Sequence, residues 1–101
     1  MPNTPEQRQF SRTSVSFPVS IELPNRKRAK ATAVNIGQGG MLVKGVSGIS
    51  FSRLDDVNVY LPIDEKQNSV FTIAAKVTRI KGSEMGLFFY SDPTEFLQLI
   101  N

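Results

Sequence analysis

Two arginines near the start of the chain have the residue type and spacing to bind an anion. Arg8 and Arg12 are separated by three residues and come just before an alternating run of apolar and polar residues. A guanidinium group presents a planar fork of donors that meets two phosphate oxygens at once, and it can also stack on a base. Such a pair on a mobile arm would suit an anionic ligand that orders the arm, although two arginines at this spacing are common without that role.

A glycine-rich segment, Asn35-Ile36-Gly37-Gln38-Gly39-Gly40, follows a predicted strand. Its glycines allow positive φ angles and a close approach of the backbone. A hairpin turn or a bulge explains the same pattern without a ligand. The segment lacks the Gly-Lys-Ser/Thr ending of a P-loop and no helix is predicted after it, so a P-loop site for a nucleoside triphosphate is not expected.

Composition excludes much other chemistry. The chain has 101 residues, 40% of them apolar, and a net charge of +3, which fits one domain with a single core. Without Cys, His or Trp, it cannot form a disulfide, a Cys/His zinc site, an imidazole base or a thiol nucleophile. Residues 1–50 carry seven basic against two acidic residues, and residues 51–101 carry five against seven. The basic first half favours an anionic partner.

The sequence shows no segment that would span a membrane or direct secretion. No apolar run approaches the roughly 20 residues of a membrane-spanning helix, and the polar N-terminus has no signal-peptide core. The initial Met1 favours a complete small protein.

The apolar pattern predicts six β-strands. Ser14–Leu23 alternates apolar and polar residues without a fault, which is typical of a strand with one buried face. Pro18 on its polar face indicates an edge or a bulge. The other strands are expected at Arg28–Ile36, from Met41, around Val57–Leu61, at Val70–Ile80 and at Glu84–Phe89. Six short strands of this kind favour a small antiparallel barrel.

The last residues predict a short helix. Asp92 can act as its N-cap, with Pro93 at the first helical position and Glu95 completing a capping box. An apolar stripe at helical spacing would pack on the sheet: Phe96, Leu97, Leu99 and Ile100. We therefore expect a flexible arm over residues 1–13 and a barrel with a C-terminal helix over residues 14–101.

Four segments in this order resemble a known family. They are RQFSR at 8–12, SVSFPVSIEL at 14–23, AVNIGQGGMLV at 33–43 and EMGLFF at 84–89. Together they look like a PilZ domain over almost the whole chain. The resemblance implies an all-β fold, a six-stranded antiparallel PilZ-type β-barrel with a short C-terminal α-helix. It also implies a receptor for the bacterial second messenger cyclic di-GMP, bound through RxxxR on the arm and [D/N]xSxxG after the second strand.

The resemblance assigns ligand contacts residue by residue. Arg8 and Arg12 match the two motif arginines, which in the family contact guanine edges and phosphates. Asn35 matches the Asp/Asn position and would accept a hydrogen bond from guanine. Gly40 matches the motif glycine, where a side chain would obstruct the ligand or the turn.

Three further positions complete the expected site. Gln7 precedes the motif where the family varies, a position associated with whether one ligand molecule or a stacked pair binds. Arg79 loosely matches a fifth-strand position where many members place Trp or Arg against a base. Gly37 departs from the family, which normally has Ser there in contact with the ligand. A neutral hydrogen bond is worth roughly 0.5–1.5 kcal/mol, so its loss is expected to weaken binding by about 2- to 13-fold without abolishing it.

The basic run Arg26-Lys27-Arg28, with Lys30, falls at the turn between the first two strands and away from the motif. A solvated turn that guards a strand edge explains it. The alternative is a docking patch for an acidic protein or for nucleic acid.

Three functions follow from these patterns. The first is a cytoplasmic cyclic di-GMP receptor whose arginine arm closes on the ligand and alters the binding of an unidentified effector protein. The second is a degenerate PilZ interaction module that does not bind the nucleotide, as Gly37 would allow. The third is a nucleic-acid-binding barrel, which is disfavoured because the Phe residues fall mainly on core-facing sides of strands.

We do not expect an enzyme, a metal site or a cofactor other than the cyclic di-GMP ligand. The loop carboxylates have no base, nucleophile or metal-ligand set beside them in the sequence: Asp55, Asp56, Asp64 and Glu65.

Overall fold

The chain folds into the barrel that its sequence pattern predicts. The computed structural model describes residues 12–63 and 69–100. In chain order the elements are β1 (Arg12–Glu22), β2 (Arg28–Gly37), β3 (Gly40–Ser47), β4 (Asp56–Pro62), β5 (Val70–Lys81), β6 (Glu84–Phe89) and α1 (Thr94–Leu99). All neighbouring strands are antiparallel and close into a barrel in the order β1-β2-β3-β6-β5-β4. The expected all-β architecture with a short C-terminal helix is confirmed.

The core lies inside the barrel because alternate residues of each strand point inward. On β1, Val19 and Ile21 are buried, and β2 contributes three alanines and Ile36. The small alanines on β2 leave room for the larger side chains of the opposite strands, which include Met41, Leu61 and Leu87.

Helix α1 supplies the largest of the fully buried side chains among the residues that the structure describes. Phe96 is fully buried, and its ring centroid lies 5.7 Å from that of Phe17 and 5.7 Å from that of Phe71. The helix begins one residue later than predicted, because Pro93 is its N-cap and Thr94 is the first helical residue. Asp92 still contributes, since its Oδ1 accepts a hydrogen bond of 2.9 Å from the Thr94 amide. Within residues 12–63 and 69–100 no helix has the length and apolarity needed to cross a membrane.

Pro18 occupies a stretch of β1 that is hydrogen-bonded on one side. In the described ladders β1 pairs with β2 along most of its length, but with β4 only over Ser20–Glu22. A register shift between Ser14 and Phe17 directly precedes the proline. Pro18 therefore has both features that its missing N–H led us to expect, a local edge and a neighbouring bulge.

Candidate functional site

The hairpin formed by β1 and β2 joins Arg12 to Asn35. The antiparallel register sets Arg12 opposite Gly37 and Ser14 opposite Asn35. The Nη1 of Arg12 donates a hydrogen bond of 2.9 Å to Oδ1 of Asn35. Strand pairing thus brings an arginine and an amide, 23 residues apart in the chain, onto one patch of the barrel surface.

Arg79 lies on the same outer row as Asn35. The register links Asn35 to Leu42, Leu42 to Gly86 and Gly86 to Arg79 across β2, β3, β6 and β5. With about 4.8 Å between neighbouring strands, Arg79 is roughly 14 Å from Asn35. Leu42 and Gly86 lie between the amide and the second guanidinium, and Gly86 adds no side chain there. Buried neighbours on the same strands confirm that the row faces outward: Ile36, Met41, Met85 and Leu87.

Gly40 is required by close packing and not by a positive φ. A Cβ at this position would collide with the carbonyl oxygen of Leu87 on β6, which pairs with β3 here. The glycines with positive φ are Gly45, Gly48 and Gly82, outside the glycine-rich segment. Of the two conformations that its glycines allow, the segment therefore uses the close approach of the backbone, with β6 as the neighbour, and not a positive φ.

The loop between β2 and β3 is tied to the start of α1. Gln38 Nε2 donates to Asp92 Oδ1 at 3.2 Å and to Thr94 Oγ1 at 3.0 Å. The Phe89 amide donates to the carbonyl of Gly39 at 2.9 Å. Hydrogen bonds from the Thr94 hydroxyl, the Thr94 amide and Gln38 hold the pKa of Asp92 below its usual value. Sequence reasoning missed this contact, since nothing local signals a bond between residues 54 positions apart.

The remaining predicted residues fall into two groups. Gln7 and Arg8 lie outside the described residues. The basic run 26–30 lies at the other end of the β1–β2 hairpin from Arg12 and Asn35. Among the described side chains, no group of three or more acidic residues is placed to hold a metal ion.

Comparisons with known proteins agree with this geometry. Residues 6–100 match the model of the PilZ domain family. The fold is similar to the PilZ domain of CeSA from a cellulose-synthesizing bacterium, with a TM-score of 0.70, 15% identity, and 89% of this chain and 91% of that chain covered. It is also similar to the inhibitor of motility MotI/DgrA of Bacillus subtilis, with a TM-score of 0.68 and 25% identity. That match covers 92% of this chain and 46% of MotI/DgrA, so the chain spans about half of that protein's length. No curated protein matches the chain. With the family model matched over nearly its whole length, the chain belongs to the PilZ domain family.

Proposed function

We propose that the chain is a cyclic di-GMP receptor. PilZ domains are generally receptor or adaptor domains for this nucleotide and not enzymes. The observation that carries the proposal is the hydrogen bond between Arg12 and Asn35, which brings a residue from each half of the family's ligand motif into contact. An arginine can pair bidentately with O6 and N7 of guanine or grip a phosphate, and the Asn35 amide can accept from the guanine ring.

Each of the proposed site residues contacts a different part of the ligand or sets how it binds. Arg12 is fixed on β1, while Arg8 is supplied from the preceding segment and closes over the phosphates. One guanine lies on the strip between Asn35 and Arg79, where the Arg79 guanidinium stacks on the base in place of a tryptophan. Gln7 acts at the position that influences how many ligand molecules bind.

We propose that the signal passes to a partner protein through a change in the surface around the bound ligand. Closing Arg8 over an anion that Arg12 already holds covers two positive charges and changes the position of the segment before β1, which a second protein can detect. The proposed setting is the cytoplasm, where the receptor would bind cyclic di-GMP and pass the signal to an effector protein.

Calorimetric titration with cyclic di-GMP tests the proposal. Arg12→Ala removes charge-assisted hydrogen bonds worth about 1.5–3 kcal/mol and should weaken binding about 10- to 150-fold. Gly37→Ser should strengthen binding by about 2- to 13-fold through the restored hydroxyl. Lys44→Ala, an exposed lysine on β3 outside the site, is the control and should bind like the wild type. Absence of heat at millimolar ligand would reject the receptor.

A nucleotide-free interaction module is the second candidate, favoured by Gly37, which lacks the motif hydroxyl. The likeness to MotI/DgrA, a protein named as an inhibitor of motility, supports a regulatory role. A Gly37→Ser variant that gains no affinity for the nucleotide would favour this function over the receptor.

A further inference from the structure

A groove opens on the outer surface where β1 and β4 separate. The ladder between them runs from the pair Glu22–Asn58 to the pair Ser20–Tyr60 and ends there. Continued by two residues, the same register would set Pro18 opposite Pro62. Neither proline has an N–H to donate, so this pair cannot exchange two backbone hydrogen bonds, and the ladder ends before reaching it. The separated strands leave a cavity of about 380 Å³ that Pro18 and Pro62 line.

The walls of the groove are apolar on one side and basic on the other. Val70, at the start of β5, keeps 52% of its surface exposed there. Arg28 and Lys30 from β2 border the opposite side, since they pair with Glu22 and Ser20 of β1. The groove therefore offers an apolar contact at Val70 and two positive charges on the opposite wall.

Arg28 is held in place at this wall. Its Nε donates to Glu22 Oε2 at 3.3 Å, and its guanidinium carbon lies 4.4 Å from the centroid of the Tyr60 ring. The Tyr60 hydroxyl donates to the other Glu22 oxygen at 2.6 Å, which fixes the carboxylate. The Arg28 side chain nevertheless stays 53% exposed, against 11% for Glu22. The cation is therefore ordered before any partner arrives, which reduces the entropy lost on binding.

We propose that this groove binds an acidic segment of a partner protein that carries one apolar side chain. The carboxylates of the segment meet Arg28 and Lys30, and the apolar side chain lies between Pro18, Pro62 and Val70. Charge complementarity supports this occupant, because Arg26 and Lys27 extend the basic wall into the adjoining turn. The proposal accounts for the basic run of the first hairpin, which the nucleotide site does not use.

Two features disfavour other occupants. Nucleic acid binding on a barrel relies on exposed aromatic faces for base stacking. Tyr60 is the aromatic residue that lines this groove, and Arg28 already covers one face of its ring. Addition of a strand to β1 or β4 needs backbone donors that Pro18 and Pro62 lack. The partner is therefore recognised through its side chains.

The groove is separate from the nucleotide site. Ser14, opposite Asn35, is six residues from Ser20 on β1, which corresponds to roughly 20 Å along a strand. The proposal therefore does not depend on cyclic di-GMP binding.

Selection from a random dodecapeptide phage library on the full chain tests the proposal. We expect the selected peptides to be rich in Asp and Glu around one large apolar residue. A fluorescein-labelled copy of the strongest binder is then measured by anisotropy. Lys30→Glu should weaken it by about fivefold or more, since it reverses one charge of the groove. Lys44→Glu makes the same charge change on β3, outside the groove, and should alter affinity by less than about twofold.

Two further measurements keep the result decisive. Val70→Ser should also weaken the peptide while both variants unfold at the wild-type temperature, because Lys30 and Val70 are exposed. Selected peptides without acidic residues, or equal affinity for wild type and Lys30→Glu, would overturn the proposal. So would an oligothymidylate that binds the groove more tightly than the peptide and is lost in Lys30→Glu, since it would assign the surface to nucleic acid.

Discussion

The Nε2 of Gln38 lies 3.0 Å from the Oγ1 of Thr94, so the loop between β2 and β3 is hydrogen-bonded to the first residue of α1. That loop directly follows Asn35 and Gly37, and α1 carries Phe96, which is fully buried against the barrel. A ligand that displaces the loop must therefore either keep this hydrogen bond and move the start of α1, or break it.

We predict that Gln38→Ala uncouples α1 from the loop at little cost in stability. The lost bonds are on exposed side chains, so the free energy of unfolding should fall by less than about 1 kcal/mol. In the wild type, cyclic di-GMP should shift the NMR amide signals of residues 94–99, and in Gln38→Ala these shifts should shrink while those near Asn35 persist. Gln98→Ala, an exposed glutamine on α1, should leave both sets unchanged.

Two glycines on neighbouring strands should respond oppositely to alanine. Gly40→Ala forces its Cβ against the Leu87 carbonyl and should destabilise the barrel by about 1–3 kcal/mol. At Gly86 an added Cβ would lie 3.4 Å from the Arg79 Cβ, an ordinary contact. Gly86→Ala should therefore unfold at the same or a higher urea concentration, with a gain of up to about 1 kcal/mol. The same variant should bind cyclic di-GMP more weakly, because its methyl group adds bulk to the strip between Asn35 and Arg79 on which we propose the guanine lies.

The strands were predictable from sequence and the site was predictable only in part. Alternation along residues 14–23 is enough to predict which side chains of β1 face inward. Each of the other strands can be assigned from its own sequence in the same way. The row from Asn35 to Arg79 depends instead on register, which shifts between Ala33 and Asn35 and between Val77 and Arg79. A bulge changes which residues face each other across a sheet, and no local pattern here marks these two.

Phe96→Ala should be the most destabilising substitution in the helix. It removes a fully buried ring that packs against Phe17 and Phe71, and such truncations cost about 3–5 kcal/mol. Much of the stability of a domain of this size would be lost, so urea denaturation should show a large shift of the midpoint. Leu99→Ala on the same helix removes a side chain that is 56% exposed, and its midpoint should stay close to the wild type. Similar losses in the two variants would contradict the packing of Phe96.

The bond between Tyr60 and Glu22 should make stability depend on pH at both extremes. The Tyr60 hydroxyl, more than the nearby Arg28, lowers the pKa of Glu22 below 4.5, and the same bond raises the pKa of Tyr60 above 10.0. A lowered carboxyl pKa stabilises the fold above its unfolded value, and this contribution is lost as the pH falls through the folded pKa. A raised phenol pKa stabilises the fold below its unfolded value, and this contribution is lost as the pH rises through the folded pKa.

Tyr60→Phe tests this dependence, since it removes the hydroxyl and keeps an aromatic ring beneath Arg28. The variant should be less stable than the wild type at pH 7, and the difference should shrink towards pH 3 as the falling pH protonates Glu22, which holds its proton less tightly in the wild type because the hydroxyl lowers its pKa. Urea unfolding at the two pH values measures it. In a Glu22→Gln background the effect of Tyr60→Phe should no longer vary between pH 3 and pH 7, because position 22 then carries no titrating group. A pH-dependent difference that persists in this background would assign the effect to another carboxylate.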